Sequence, residues 1–240
     1  MILEVCSDSL ETTLLAEEFG AKRVELCSAI SVGGLTPSLG LIAACLEHSS
    51  IEIHCMIRHR EGDFVYSDSD LEILKKDIQS VADMGVKGVV FGCLNSHGEI
   101  NTRQTEELVR LAKGKGLEVT FHRAFDFVYD YESALEQLIF AKVDRILTSG
   151  GETKAIQGKE RIQKMVQLAQ GRIQIMAGSG VNADNALELV ETGIDALHFT
   201  SHVSEGKTEL GMGAKTRADR EKIGKILKVL MQNSKFKMQN

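Results

Sequence analysis

Residues 3–6 read LEVC and residues 24–27 read VELC, and this recurring stretch decides the fold. Each copy is typical of a short buried strand, and the residues between the copies are enough for one helix. A strand–helix–strand unit places its two strands side by side and parallel, with a right-handed crossover. Cys6 and Cys27 then lie at the carboxyl ends of neighbouring strands, where α/β proteins place their functional groups. Adjacent strands are about 4.8 Å apart, so the two thiols are placed to share one soft metal ion.

The bulk composition is that of an ordinary globular chain, with 43 % hydrophobic and 26 % charged residues. The net charge of −6 gives no reason to expect a nucleic-acid partner. No apolar run approaches the roughly 20 residues that span a bilayer, and residues 1–4 lack the basic start of a secretory signal. We therefore expect a cytoplasmic protein without a membrane partner. The 5 cysteines include no CxxC pair, which disfavours a zinc ribbon or a thioredoxin-like site.

A repeated pattern of helix, glycine, short link and β-branched strand organises the chain. The glycine takes the left-handed position that ends a helix at low cost, and repetition of such a loop predicts a parallel sheet. This pattern occurs at Gly20, Gly85, Gly116 and Gly193. Eight strands are predicted, at about residues 2–6, 23–27, 51–57, 88–92, 118–122, 144–148, 173–177 and 195–199.

Eight strand–helix units predict an α/β fold with a single (β/α)8 TIM-like barrel domain over residues 1–240. The main alternative is an open doubly wound sheet. Such a sheet is expected to carry a glycine-rich turn after its first strand, whereas residues 7–9 read SDS. The tail at residues 233–240 is polar and is expected to fray.

Local signals also predict where two of the helices begin. Pro37 after Thr36 fits the first helical position after an N-cap, which predicts a helix over residues 37–47. Ser69 and Glu72 have the spacing of a capping box in front of the helix that follows.

The alternation of strand residues places an unusual set of ionisable groups inside the barrel. Apolar residues at one phase are expected to pack on the outer helices, and the opposite phase then faces inward. Branched aliphatic side chains fill a purely structural barrel, and burying ionisable groups is costly unless they pair or form a site. An internal ion-pair network is the alternative interpretation. The predicted interior groups are Glu4, Glu25, His54, Arg58, His122 and His198.

Further polar groups follow the ends of the later strands. Arg123 and Asp126 come directly after strand five, and glycine-rich turns follow strands six and seven. These turns resemble the phosphate-binding turns of many barrels, in which backbone N–H groups meet an anion. Glycine is also simply required for tight turns, which is the alternative. The candidate substrate-binding residues are Ser149, Gly150, Gly178, Ser179 and Gly180.

These groups are suited to a small anionic ligand, either a phosphate ester or a carboxylate. Two arginines would hold the anion, and a histidine with a glutamate partner would act as general acid or base. No nucleophile motif identifies a reaction type. The candidate catalytic residues are Glu4, Glu25, Arg58, His122, Arg123, Asp126 and His198.

The cysteines have two interpretations. Free cysteines are often small buried hydrophobic residues, and we expect this of Cys45, Cys55 and Cys93. For Cys6 and Cys27 the position at strand ends predicts exposure and metal binding. Soft thiolates favour Cu(I) over Mg²⁺ or Ca²⁺, and two further candidate ligands, one imidazole and one thioether, lie in strand three. These are His54 and Met56.

At these residues the chain resembles the CutC family, described as copper homeostasis proteins, over nearly its whole length. The matching segments are EVC at 4–6, RVELC at 23–27, GGLTPS at 33–38, MIR at 56–58, GDF at 62–64, TFHRAFD at 120–126, RILTSGG at 145–151 and GSG at 178–180. The resemblance implies a TIM-like barrel, a cytoplasmic location, Cu(I) ligation by Cys6 and Cys27, and a homo-oligomer as a possible assembly. His59 and Glu61 depart from the family's usual proline and glycine, so the loop after strand three is expected to differ in shape.

Three functions therefore stay open. The first is copper homeostasis through a cytosolic Cu(I) site at the two strand-end cysteines. The second is a TIM-barrel enzyme that acts on a small anionic metabolite. The third is an interaction scaffold, for which the sequence indicates no particular surface.

Overall fold

The computed structural model describes residues 1–207 and 214–232, and its centre is a closed barrel of eight parallel strands. The strands follow one another around the barrel in chain order, and β1 pairs with both β2 and β8. This closure confirms the predicted (β/α)8 fold and excludes the open sheet. The barrel strands are β1 (Ile2–Ser7), β2 (Arg23–Leu26), β3 (Glu52–Met56), β4 (Gly88–Phe91), β5 (Glu118–Phe121), β6 (Arg145–Thr148), β7 (Gln174–Ala177) and β8 (Ala196–Thr200).

Helices connect the strands and cover the outside of the barrel. The four glycines predicted to end helices have positive φ angles between 76° and 94°, as the left-handed position requires. The helices are α1 (Leu10–Glu18), α2 (Leu39–His48), α3 (Asp68–Met84), α4 (Thr102–Gly114), α5 (Tyr131–Phe140), α6 (Lys159–Ala169), α7 (Ala186–Val190) and α8 (Arg220–Gln232). Within the described part of the chain, none of them is both long and apolar enough to cross a membrane.

The start of α2 differs from the prediction. Ser38, and not Thr36, is the N-cap, and its hydroxyl accepts a hydrogen bond from the N–H of Leu41 at 3.2 Å. Thr36 is engaged elsewhere, because its hydroxyl donates to Asp77 at 3.2 Å and accepts from the backbone N–H of Arg58 at 3.0 Å. The threonine therefore anchors the end of β3 instead of capping a helix.

The capping box of α3 also lies two residues before the predicted one. Ser67 accepts a hydrogen bond from the N–H of Asp70, and the Asp70 carboxylate accepts from the N–H of Ser67. The usual capping box has a glutamate or glutamine three residues after the N-cap. Ser69 with Glu72 fits that pattern, whereas Ser67 has an aspartate at this position, so the sequence pattern favoured the wrong serine.

Two further strands were not predicted. β9 (His202–Lys207) and β10 (Ala214–Ala218) pair antiparallel in a separate two-stranded sheet after the barrel closes. Their sequences, HVSEGK and AKTRA, lack the alternation of apolar and polar residues that indicates a strand. The predicted frayed tail at 233–240 lies outside the described residues, and the single-domain division over 1–240 stays a prediction.

The buried apolar residues form one large core between strands and helices and two small clusters inside the barrel. The larger core lies between strands and helices and includes Leu3, Val5 and Ile53. Cys45 of α2, Cys55 of β3 and Cys93 after β4 are buried within this core, as expected for hydrophobic cysteines. Inside the barrel, small apolar clusters alternate with charged groups. The strands therefore hold the interior polar residues in a rigid frame.

Candidate functional site

The lower part of the barrel interior is an ion-pair network centred on Glu4. Its carboxylate, fully buried, accepts hydrogen bonds from Arg23 Nε and from His198 Nδ1, the latter at 2.7 Å. Burial alone would raise the pKa of Glu4, but the charge of Arg23 and the contact with His198 outweigh it and hold that pKa well below its ordinary value. Glu4 is therefore a permanent anion that balances the charges around it.

A second arginine extends this network towards β5. Arg145 donates to Thr120 Oγ1 and to the Glu118 carboxylate, both at 3.0 Å. His54 lies in the same layer, fully buried, and burial together with the charge of Arg23 holds its pKa well below 6.5. Glu4 thus belongs to an internal ion-pair network, with His54 as a neutral part of the same layer, and its role in a site stays a prediction.

Cys6 and Cys27 lie next to each other above this network, but they are not paired in register as the matching LEVC and VELC stretches suggested. The strands are staggered, so Cys6 pairs in register with Glu25 and Glu4 pairs with Arg23. A closed barrel requires such a stagger because its strands tilt against the axis. The two Sγ atoms are nevertheless 3.7 Å apart.

The predicted exposure of the two cysteines is wrong. Cys6 is 8 % exposed and Cys27 is fully buried, because Met56, Val90 and Ile30 pack around them. The bond with the second thiol, reinforced by burial, raises the pKa of Cys6 well above 9. Cys6 is therefore held as a neutral thiol, next to the thioether of Met56.

Glu25 and His198 border the thiol pair. The Glu25 carboxylate lies 3.7 Å from His198 Nε2, and its Oε1 atom has no hydrogen-bond partner among the described residues. Burial raises the pKa of Glu25, against the opposing charge of His198. Burial would lower the pKa of His198, but Glu25, Cys6 and Glu4 outweigh it and raise that pKa well above 6.5. Potential ligand atoms of Cys6, Glu25 and Cys27 all lie within 4.8 Å of one another.

A cavity of about 420 Å³ opens over these groups at the carboxyl ends of the strands. Most of its wall is apolar and includes Ile30, Val32 and Phe64. Seven of the predicted site residues line it: Cys6, Glu25, Arg58, His122, Arg123, Ser179 and His198. The prediction that these strand ends form one site is thus consistent with a shared cavity, and their roles stay predictions.

Arg58 is held at the cavity edge by backbone carbonyls. Its Nη1 atom donates to Val32 O at 2.8 Å and to Gly34 O at 3.1 Å, and its Nη2 atom donates to Gly62 O at 2.9 Å. Gly33 and Gly34 have φ angles of 91° and 90°, which non-glycine residues rarely adopt, and this conformation turns the carbonyls towards the guanidinium. The GG pair noted in the sequence therefore serves to position Arg58, which is 4 % exposed.

His122 faces the same cavity from β5. Its Nδ1 atom accepts a hydrogen bond from the N–H of Ala124 at 3.2 Å, so the neutral ring carries its proton on Nε2. Burial, and then the charge of Arg58, lowers the pKa of His122 to about 3. Gly92 is required beside it, because a Cβ atom there would lie 2.6 Å from His122 Nδ1.

The turn after β6 is already occupied by a carboxylate of the chain itself. Asp126 accepts hydrogen bonds from the N–H groups of Ser149 and Gly151, at 3.0 Å and 3.1 Å, and from Arg123 Nε at 2.8 Å. The N–H of Gly150 donates to Thr148 Oγ1 at 2.9 Å. Ser149, Gly150 and Asp126 are thus engaged with one another, and their assignment to substrate stays a prediction.

Sequence reasoning missed the two interior arginines. Arg23 has the same strand phase as Glu25 and Cys27, so alternation alone was sufficient to find it. Arg145 has the same phase as Leu147, an interior residue, but a lone charged residue at the start of a strand is usually taken as exposed. Phe64, which packs against both Arg58 and His122, was noted only within the matching segment GDF at 62–64, because a loop residue has no strand phase that assigns it to the site.

The chain is similar over most of its length to proteins of one family. The CutC family model matches residues 1–203. A family protein CutC of Glaesserella parasuis is 43 % identical over an alignment that covers 96 % of this chain and 99 % of that protein. A solved CutC structure from Streptococcus agalactiae, named for copper homeostasis, has a TM-score of 0.78 at 34 % identity and covers 83 % of this chain and 98 % of its own. Phosphoribosyl anthranilate isomerase from Thermus thermophilus, 14 % identical with a TM-score of 0.62 over 97 % of this chain and 99 % of its own, shares the fold alone.

Proposed function

The chain belongs to the CutC family, as its motifs predicted, and we propose that it serves copper homeostasis by binding one Cu(I) ion between Cys6 and Cys27. The observation that carries this proposal is the 3.7 Å separation of the two Sγ atoms. The name of the Streptococcus agalactiae relative refers to copper homeostasis, which supports the same function.

The thiol separation suits one shared ion. A metal–sulfur bond of about 2.3 Å allows two sulfurs on one ion to be up to ~4.6 Å apart. The observed 3.7 Å lies within that limit, so the strands need not move for both thiolates to bind the same ion. Two thiolates are the ligands that favour Cu(I) over the harder divalent cations.

The surroundings add a soft third ligand and an access route. Met56 packs against both cysteines, and thioether sulfur is a Cu(I) ligand that magnesium and calcium do not prefer. His54, the other candidate ligand in β3, lies in the charged layer below and does not line the cavity. Cys6 borders the cavity, so an ion can reach the pair from that side. A reducing cytosol, which keeps free thiols reduced, is part of this proposal.

Competition for Cu(I) under anaerobic conditions tests the proposal. Reduced protein is titrated against a chromogenic Cu(I) chelator, and we expect the native chain to remove about one ion per chain. Cys6→Ser/Cys27→Ser is expected to remove none. The matched control is Cys45→Ser/Cys93→Ser, which also replaces two buried cysteines but leaves the pair intact, and it is expected to behave as the native chain. Equal capture by both double variants would contradict the proposal.

A further inference from the structure

Arg58 is a buried cation without a counter-ion. Its hydrogen bonds go to the carbonyls of Val32, Gly34 and Gly62, which are neutral acceptors. Among the side chains that the structure describes, no carboxylate forms an ion pair with it within 4.0 Å. Its Nε atom is buried and has no hydrogen-bond partner among those residues. A buried, unpaired charge is costly, so a site of this kind is completed by an anion from outside the chain.

A second unsatisfied donor lies beside it. His122 Nε2 carries the ring proton and is buried without a partner in the described part of the chain. The Phe64 ring packs against both groups, with its centroid 5.1 Å from Arg58 Cζ and 4.8 Å from the centroid of the His122 ring. Both residues line the cavity, so the guanidinium and the imidazole border one part of it.

We propose that Arg58 and His122 bind the carboxylate of a small organic acid whose apolar body lies against Ile30, Val32 and Phe64. This site is independent of the Cu(I) proposal, since neither donor belongs to the thiol pair. The proposed ligand of the cavity is an aliphatic monocarboxylate.

Charge balance distinguishes a carboxylate from a phosphate ester. A carboxylate brings one negative charge, which matches the single unpaired charge of Arg58, because His122 is neutral. A phosphate monoester brings about −1.5 to −2, which would leave buried charge uncompensated. The amide groups that usually hold phosphate in the turn after β6 are unavailable, since Asp126 and Thr148 accept from them.

The other charged groups that line the cavity are already paired. His198 is bound to Glu4 and lies near Glu25, and Arg123 donates to Asp126. Arg58 and His122 are thus left as the pair that requires an anion. The apolar wall between them excludes water from the hydrocarbon part of the ligand, which favours an organic acid over a free inorganic anion.

Calorimetric titration of the full, reduced, chelator-treated chain tests the inference with three probes of similar size: hexanoate, hexanamide and butyl phosphate. We expect hexanoate to bind about tenfold or more tightly than either of the others. Equal or tighter binding of hexanamide or butyl phosphate would overturn the inference, and so would the failure of hexanoate to bind. Because no copper is present, the outcome does not depend on the Cu(I) proposal.

Two variants locate the site. His122→Phe keeps an aromatic ring and removes the donor, and it is expected to weaken hexanoate binding about tenfold. Arg58→Gln removes the charge and is expected to weaken it further. Arg60→Gln is the matched control, because it removes a cation from the same loop that is paired with Asp63, and it should leave hexanoate binding unchanged. If Arg58→Gln fails to fold, the comparison of hexanoate binding by His122→Phe and Arg60→Gln still tests the site. Equal losses of hexanoate affinity in these two variants would contradict it.

Discussion

Glu4 shows how the barrel tolerates charge at its centre. Strand alternation was sufficient to predict that this side chain points inward, but not which groups it meets there. Its partners, Arg23 and His198, come from β2 and β8, so the pairing depends on how the closed barrel sets its strands. The sequence thus predicted which side chains face the barrel interior, but not which of them form ion pairs, because the register between strands decides which side chains are neighbours.

Replacing Glu4 with Gln is expected to be severely destabilising. The substitution removes the nearer counter-charge of the buried Arg23 guanidinium and leaves only Glu118 Oε2, 4.0 Å from Arg23 Nη1. Loss of one partner of a buried ion pair costs about 3–5 kcal/mol in the free energy of unfolding. Glu18→Gln breaks an exposed pair with Arg220 and is expected to have little effect on the free energy of unfolding, because solvent screens that pair. Urea unfolding of the two variants measures the difference, and similar losses would show that the interior pair adds no stability.

At the scale of elements, strand ends were predicted to within one residue, whereas the N-caps predicted for α2 and α3 each lie two residues from the observed ones. Strands are buried on both faces, so their apolar runs are long and distinct. A helix start depends on one or two hydrogen bonds, and several serines and aspartates near residue 67 offer similar spacings. The β9–β10 hairpin was missed for the related reason that its residues carry no apolar alternation.

The two possible capping boxes of α3 are distinguished by substitution. Ser67→Ala is expected to lower the free energy of unfolding by about 1 kcal/mol, since it removes the acceptor of the Asp70 N–H. Ser69→Ala, at the position favoured from sequence, is expected to change it by less than about 0.5 kcal/mol. Thermal and urea unfolding of both variants provide the measurement, and a larger effect at Ser69 would support the original assignment.

For the whole molecule, the closed barrel was predictable because eight similar units repeat along the chain. The thiol separation was not, since it depends on the stagger that closure imposes on β1 and β2. The cavity also required the assembled barrel, because its walls come from loops distant in sequence, including those that carry Phe64 and Ile30. These loops explain why the cysteines are buried and why Arg58 has no carboxylate partner.

The buried neutral histidine makes stability depend on pH in a defined direction. His122 has a pKa of about 3 in the folded chain and an ordinary value of 6.5, so between these values the unfolded chain binds the extra proton. Its contribution to stability is complete above pH 6.5 and falls by about 1.4 kcal/mol for each pH unit below it. Urea unfolding between pH 6.5 and 5 is expected to show a shallower decline for His122→Phe than for the native chain. Parallel declines would indicate that His122 is protonated, or exposed, when folded.

The most direct test of the Cu(I) proposal is X-ray absorption at the copper edge of the anaerobic, Cu(I)-loaded chain. We expect a first coordination shell of sulfur alone, from Cys6 and Cys27 with Met56 as the third ligand, at about 2.3 Å. Met56→Leu should reduce the sulfur count by one without removing the ion. A shell dominated by nitrogen or oxygen, or one unchanged in Cys6→Ser/Cys27→Ser, would contradict a copper site at the strand-end thiols.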